Sequence, residues 1–244
     1  MKSNRCRLYN AEDLEQTVLK MGFLPFFQSD IPEFSIEEFT PKEHWFADGA
    51  DGPWEWKSPV AGNGNCAYGK LFRGKAGFVS MEWFPELVNY RRAAYPLDTD
   101  PAHKSRLIYD TVVRHESLLS KEIKTLCGFR KPPRRNFEPA DAWNALEKQK
   151  QQQGKHHAGF DTLITRLQMG TWLVVATFEY EYDKHGQPYG WGIARYVTPE
   201  ALFGEDRILS CNGHSPEESK MRLAEYFSGL LPQASETQIL RLIG

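Results

Sequence analysis

Cysteine is scarce in this 244-residue chain, and the four present, Cys6, Cys66, Cys127 and Cys211, lie far apart with no C-x-x-C pair. That spacing excludes a zinc knuckle and a small disulfide framework, and fits a reducing, cytoplasmic compartment. Long hydrophobic runs are missing too: nothing nears the roughly 18 apolar residues of a membrane span. The first ten residues are polar, carry Lys2, Arg5 and Arg7, and lead into no hydrophobic segment, so neither secretion nor membrane insertion is expected. Residues 62–69 (GNGNCAYG) lack both the phosphate-loop lysine pattern and a dinucleotide fingerprint, and read as a turn before a strand. No histidine pair has zincin spacing, and His156 and His157 sit in a polar tract, so no metal or cofactor is expected. Cys66 has no base beside it in sequence and is assigned a small buried role rather than a nucleophilic one.

Charge of one sign is absent overall, with a net of -2, but its distribution is uneven. Residues 10–60 hold eleven acidic side chains against three basic, whereas residues 121–157 hold nine basic against four acidic. A polyanion would be repelled by the first region and attracted to the second, unless both are simply solvated faces.

Hydrophobic periodicity gives a helix at 11–21, closed by Gly22. An aromatic, proline-rich stretch without sustained period follows to residue 59 and reads as long packed loops. Residues 63–82 read as a hairpin around Arg73–Ala76, and residues 83–95 as a helix. Further helices are expected at 103–113, from Ser120 to Gly128, at 140–149, and at 159–169, with Phe160, Leu163, Ile164 and Leu167 inward and Asp161, Thr162, Thr165, Arg166 and Gln168 outward. Two β-rich runs, 172–182 and 189–197, form a long hairpin with a polar tip, and capped helices start at Thr198, Ser215 and Ser235.

The expected class is therefore α+β with winged-helix architecture, three helices followed by a hairpin wing. The expected organisation is an aromatic-rich N-terminal lobe at 1–98, a winged-helix lobe at 99–204 with a basic insertion at 129–157, and a C-terminal helical segment at 205–244. Such a unit serves DNA contact or acts as a scaffold for protein contact.

Three segments carry a resemblance: residues 70–92 (KLFRGKAGFVSMEWFPELVNYRR), 118–123 (LLSKEI) and 159–175 (GFDTLITRLQMGTWLVV). They resemble AlkZ-related proteins, a group similar to the AlkZ DNA glycosylases, and the resemblance runs from about Leu14 to Gly244. It implies tandem winged helices, DNA as the partner and removal of alkylated or crosslinked bases. AlkZ enzymes carry an early Gln-x-Gln or Gln-x-Asp element that positions the attacking water. The early match here is Gln28-Ser29-Asp30, in flanks unlike those of the enzymes; the other reading is a polar turn before Ile31. Glycosidic cleavage needs a group to stabilise the sugar cation, a held water and a base pocket, which makes Gln28, Asp30 and Glu55 the catalytic candidates. Phe26, Phe27, Trp45, Trp54 and Trp56 form either a stacking wall or core, and dense aromatic sets are more often core. For the DNA-facing surface the candidates are Arg91, Arg92, Arg134, Arg135, Lys155, His156, Arg166, Lys184 and His185. The alternative is a non-catalytic interaction protein that kept the fold and lost the site. An enzyme should aim Gln28 and Asp30 into a cleft shared with the third helix and the wing.

Overall fold

The computed structural model describes residues 7–46, 51–99, 102–129 and 158–244. The helix expected at 140–149 and the candidates Arg134, Arg135, Lys155 and His156 lie outside these residues.

The first unit opens with α1 (Ala11–Met21), N-capped by the Asn10 side chain, which accepts from Asp13 N at 2.8 Å. A short strand, β1 (Phe23–Pro25), follows. Then come α2 (Ile36–Phe39), α3 (Glu43–Phe46) and α4 (Pro53–Gly62), and the hairpin β2 (Cys66–Phe72) and β3 (Lys75–Ser80). The strands pair antiparallel in the order β1-β3-β2. After α5 (Phe84–Ala94) and a 3-10 turn (Leu97–Thr99) the same order returns. It runs α6 (Lys104–Arg114), β4 (Ser117–Leu119), α7 (Ser120–Leu126), α8 (Phe160–Met169), and the hairpin β5 (Val174–Tyr182) and β6 (Pro188–Val197). This sheet is ordered β4-β6-β5. Each unit thus reads helix, short strand, helices, hairpin, with the short strand beside the hairpin's second strand.

In both sheets the hairpin's first strand is one edge and the short strand the other, and an open edge invites foreign pairing. The two units close each other's edges: α8 packs on β2, and α4 packs on β5. The contacts are reciprocal in kind. Lys70 N, at a bulge in β2, donates to Gln168 Oε1 at 3.0 Å, and Phe178 N in β5 donates to Ser58 Oγ at 3.3 Å. One apolar core joins the units, with Leu14, Trp56, Val60, Tyr68 and Phe78 of the first and Ile108, Val112, Leu163, Leu167 and Tyr196 of the second.

The chain ends in α9 (Pro199–Phe203), α10 (Glu205–Ile208), α11 (Pro216–Leu230) and α12 (Glu236–Ile243), of which α11 and α12 start on capping boxes. With α5 they enclose a second core around Phe23, Phe34, Phe84, Phe227 and Ile243. Among the described residues no helix is long and apolar enough to cross a membrane.

Candidate nucleic-acid interface

The aromatic residues of the first unit divide into two sets. Phe26 and Trp56 are core, at 0% and 1% exposure. Phe27, Trp45 and Trp54 are half-buried and line a cleft of about 900 Å³ together with Gln28, Glu37, Glu38, Thr40, Lys42, Glu43 and Arg7. Phe26 backs this wall, with ring centroids 5.1, 5.7 and 5.2 Å from Phe27, Trp45 and Trp54. Glu38 organises the floor: it accepts from Glu33 N at 2.9 Å, Phe34 N at 3.2 Å and Ser35 Oγ at 2.6 Å. Among the described residues Glu37 receives only Gln28 N, at 2.8 Å, and it is exposed. The Thr40 hydroxyl, on a residue 5% exposed, has no hydrogen-bond partner among the described residues.

The three catalytic candidates are not brought together. Gln28 lines the aromatic cleft, while Asp30 lines an adjoining cavity of about 310 Å³, on the other side of Phe27, with Ser29, Arg73, Lys75, Gln238 and Arg241. Neither cavity is lined by α8 or by the β5–β6 hairpin, so the shared cleft expected of an enzyme is not formed by this pair. Glu55 accepts from Gly52 N at 3.2 Å at the start of α4, which is a structural task. Glu37 went unnoticed in the sequence because its relation to Gln28 spans nine residues and depends on the turn before α2.

Two of the proposed DNA contacts need correction. Arg91 is 1% exposed, and its guanidinium is held by carbonyls, donating to Ile243 O at 2.7 Å, Leu71 O at 2.6 Å, Leu242 O at 2.9 Å and Met169 O at 3.3 Å. Burial pushes its pKa down to about 10, so it stays charged at neutral pH without reaching solvent. Arg92 is ion-paired with Glu200, donates to Thr171 O at 3.2 Å and lies 4.6 Å over the Trp172 ring. Both serve the fold. The outward face of the third helix, α8, is also narrower than its sequence implied, because Gln168 is 1% exposed and spent on β2. Thr165 is half-buried and accepts from Lys70 Nζ at 3.2 Å. Arg166 is exposed and borders a shallow concavity of about 470 Å³ with Tyr95, Asp161, Thr162 and Met169. Lys184 and His185 are exposed at the β5–β6 tip, which Asp183 Oδ1 orders by accepting from His185 N and Gln187 N at 2.8 and 2.9 Å.

Other reactive side chains are also spent on structure. Burial pushes the Cys66 thiol up to about 12, in keeping with a packing role. Lys57, 7% exposed, is held between Trp54 and Phe178, with its ammonium 4.7 and 4.2 Å from the ring centroids, and desolvation lowers its pKa. Glu86, Cys211 and His214 gather as possible metal donors. The Glu86 carboxylate already accepts from Ser219 Oγ at 2.6 Å and Arg222 Nε at 2.7 Å, with His214 Nδ1 at 3.1 Å, which makes the group a latch from α5 to α11.

Two chained units of one topology, with an aromatic cleft in the first and exposed basic residues at the hairpin tips, define a mixed α+β protein. A family model described as AlkZ related matches residues 8–244, and the chain belongs to that family. No curated protein and no solved structure matches it.

Proposed function

We propose that this protein is a DNA-binding module of tandem winged helices that accepts an extruded base in the cleft of Phe27, Trp45 and Trp54. The carrying observation is that cleft: three half-buried rings face it, and Glu37, Glu38 and Glu43 outnumber Lys42 and Arg7 around it. Aromatic faces and carboxylates favour a planar ring with positive charge, such as a base alkylated on a ring nitrogen. The winged-helix reading is supported by the strand orders β1-β3-β2 and β4-β6-β5 and by a hairpin that follows the helices of each unit. Arg166, Lys184 and His185 supply the exposed contacts of the second unit to the phosphate backbone. Family membership supports DNA as the partner.

A second reading, hydrolysis of the N-glycosidic bond, is favoured by one feature: the Gln28 side chain and the Glu37 carboxylate border the same aromatic cleft. Together they would hold a water and stabilise charge on the sugar, with Asp30 and Glu55 taking no part.

The test is binding of duplexes with and without N7-methylguanine, at two salt concentrations, beside an abasic-site cleavage assay. Lesion DNA should bind more tightly, and Trp45→Leu should remove roughly five- to 150-fold of that preference, the worth of one stacked base, while undamaged DNA is bound as by wild type below the variant's melting temperature. Product that disappears in Gln28→Ala selects the hydrolytic reading. Salt-sensitive binding without product selects the binding module, and no salt-sensitive binding to either duplex overturns both.

A further inference from the structure

Resting on the DNA-binding reading, we propose that Arg73, Lys75 and Arg241 form a clamp for one backbone phosphodiester at the tip of the β2–β3 hairpin. The three residues come from two elements far apart in sequence and share the cavity of about 310 Å³ that also holds Ser29 and Asp30. Three cations face one carboxylate there. None of the three makes an ion pair among the described residues, and all three are exposed. The Ser29 hydroxyl accepts from Ile31 N at 3.2 Å, which leaves its own proton available to an anion.

The turn itself argues for a task. Arg73 and Gly74 have φ of 53° and 78°, both left-handed, as a two-residue hairpin turn requires. Asn or Gly adopts that conformation at lower cost than arginine. The strained position keeps a long cation at the point where the hairpin projects farthest, and strain of this kind accompanies function.

Both arms of the clamp are fixed from beneath by one side chain. Arg91 holds Leu71 O, two residues before Arg73, and Leu242 O, one residue after Arg241. Gln238 Nε2 adds a bond to Asp30 O at 2.8 Å, tying the third wall to α12. Gly74 also abuts α8, since a Cβ placed there would lie 3.4 Å from Thr165 Cγ2. The clamp therefore sits beside α8, the helix that carries Arg166.

The experiment uses the full chain and a fluorescein-labelled duplex in an anisotropy titration across salt concentrations. Arg73→Gly combined with Lys75→Ala and Arg241→Ala should weaken binding about tenfold and flatten the plot of log K against log salt by about one, the signature of one lost phosphate contact. Arg73→Gly alone should weaken binding while the melting temperature holds or rises, because glycine suits the turn, which separates contact from folding. Asp30→Asn should tighten binding two- to threefold, roughly, by removing the one carboxylate that opposes the phosphate. Wild-type protein that binds DNA while the triple variant keeps its affinity and slope discards the clamp and leaves the DNA reading standing. Wild-type protein that binds no DNA overturns both.

Discussion

Arg91→Met is the most informative single substitution, because methionine keeps much of the buried volume and removes the entire guanidinium network. Three of its bonds are short, at 2.7, 2.6 and 2.9 Å, and the fourth, to Met169 O, is long at 3.3 Å. Hydrogen bonds to a charged group contribute roughly 1.5–3 kcal/mol each, so the three short ones represent about 4–9 kcal/mol. Against this stands the cost of burying a guanidinium without a carboxylate partner, several kcal/mol, which methionine does not incur. Leu242 O and Ile243 O belong to the last turn of α12, whose carbonyls lack helical partners, and water can replace Arg91 there in part. The net expectation is a loss of about 3–4 kcal/mol, and hence roughly 6–16 °C in melting temperature for a chain of this size. Urea unfolding followed by tryptophan fluorescence reads it. Arg91→Lys should fall nearly as far, since one ammonium cannot span carbonyls on β2, α8 and α12. A loss under about 1 kcal/mol refutes the energetic reasoning. In DNA titrations Arg91→Met should flatten the salt slope no further than the Arg73, Lys75 and Arg241 triple variant does, and should add nothing to that variant, because Arg91 acts only by fixing the clamp; a further loss of slope on top of the triple variant would contradict its buried, structural role.

Glu86→Gln should cost about 2 kcal/mol at neutral pH by weakening the latch to Ser219, His214 and Arg222. Burial alone would raise the Glu86 pKa, but the Ser219 and His214 hydrogen bonds and the Arg222 charge outweigh it and hold the carboxyl below its ordinary value. Its stabilisation is therefore present above the ordinary carboxylate range and lost as pH falls through the depressed value, so wild type and variant should converge in acid; urea midpoints that stay equally far apart at low pH would contradict this. Lys57→Met should leave stability unchanged or raise it by up to about 1 kcal/mol, since it removes a desolvated ammonium whose ring contacts only partly offset its burial. A clear drop in the urea midpoint would mean that the ammonium stabilises the fold.

Regular elements with a strong period were legible in the sequence: α1, α5, α6, α8 and the two hairpins lie where periodicity and turn residues put them. The topological repeat was not, because its markers are weak. β1 and β4 have three residues each, too few to show alternation, and β1 ends in a proline. Helix α4 was read as loop although Pro53, Trp56, Lys57, Val60 and Ala61 are all buried at helical spacing. Lys57 hid that period, since a lysine scores as solvent-facing, and Pro59 inside the helix argued against it. Similarly, no local pattern distinguishes Gln168 from a groove-reading residue; its partner, Lys70 N, lies 98 positions away. Arg91 and Arg92 look like a basic pair on paper, and only the convergence of Leu71, Met169 and Ile243 on one point explains why the first is buried. In the tripeptide Gln28-Ser29-Asp30 the letters matched a motif, whereas the backbone sends its ends into different cavities.

The reciprocal packing bears directly on how DNA could be met. In an isolated winged helix the third helix offers one face to the core and the opposite face to the major groove. Here α8 also leans on β2 and α4 leans on β5, so the helix before each hairpin loses a flank to the other unit's edge strand. What α8 keeps in solvent is Asp161, Thr162 and Arg166, a set better suited to backbone contact than to bidentate base readout. Covering β2 and β5 in this way joins the two units in one core and leaves α8 a narrow exposed face, so under the proposed reading sequence-specific recognition is the activity expected to be weakest. Recognition of a lesion needs less of it. A damaged base is read after it leaves the stack, by a pocket, while the duplex is gripped through phosphates at points that carry no sequence information. In the proposed reading the aromatic cleft and the Arg73–Lys75–Arg241 cavity would supply those two kinds of contact, and what the structure shows is that Arg91 binds α12 to the root of the first hairpin beside the second of them.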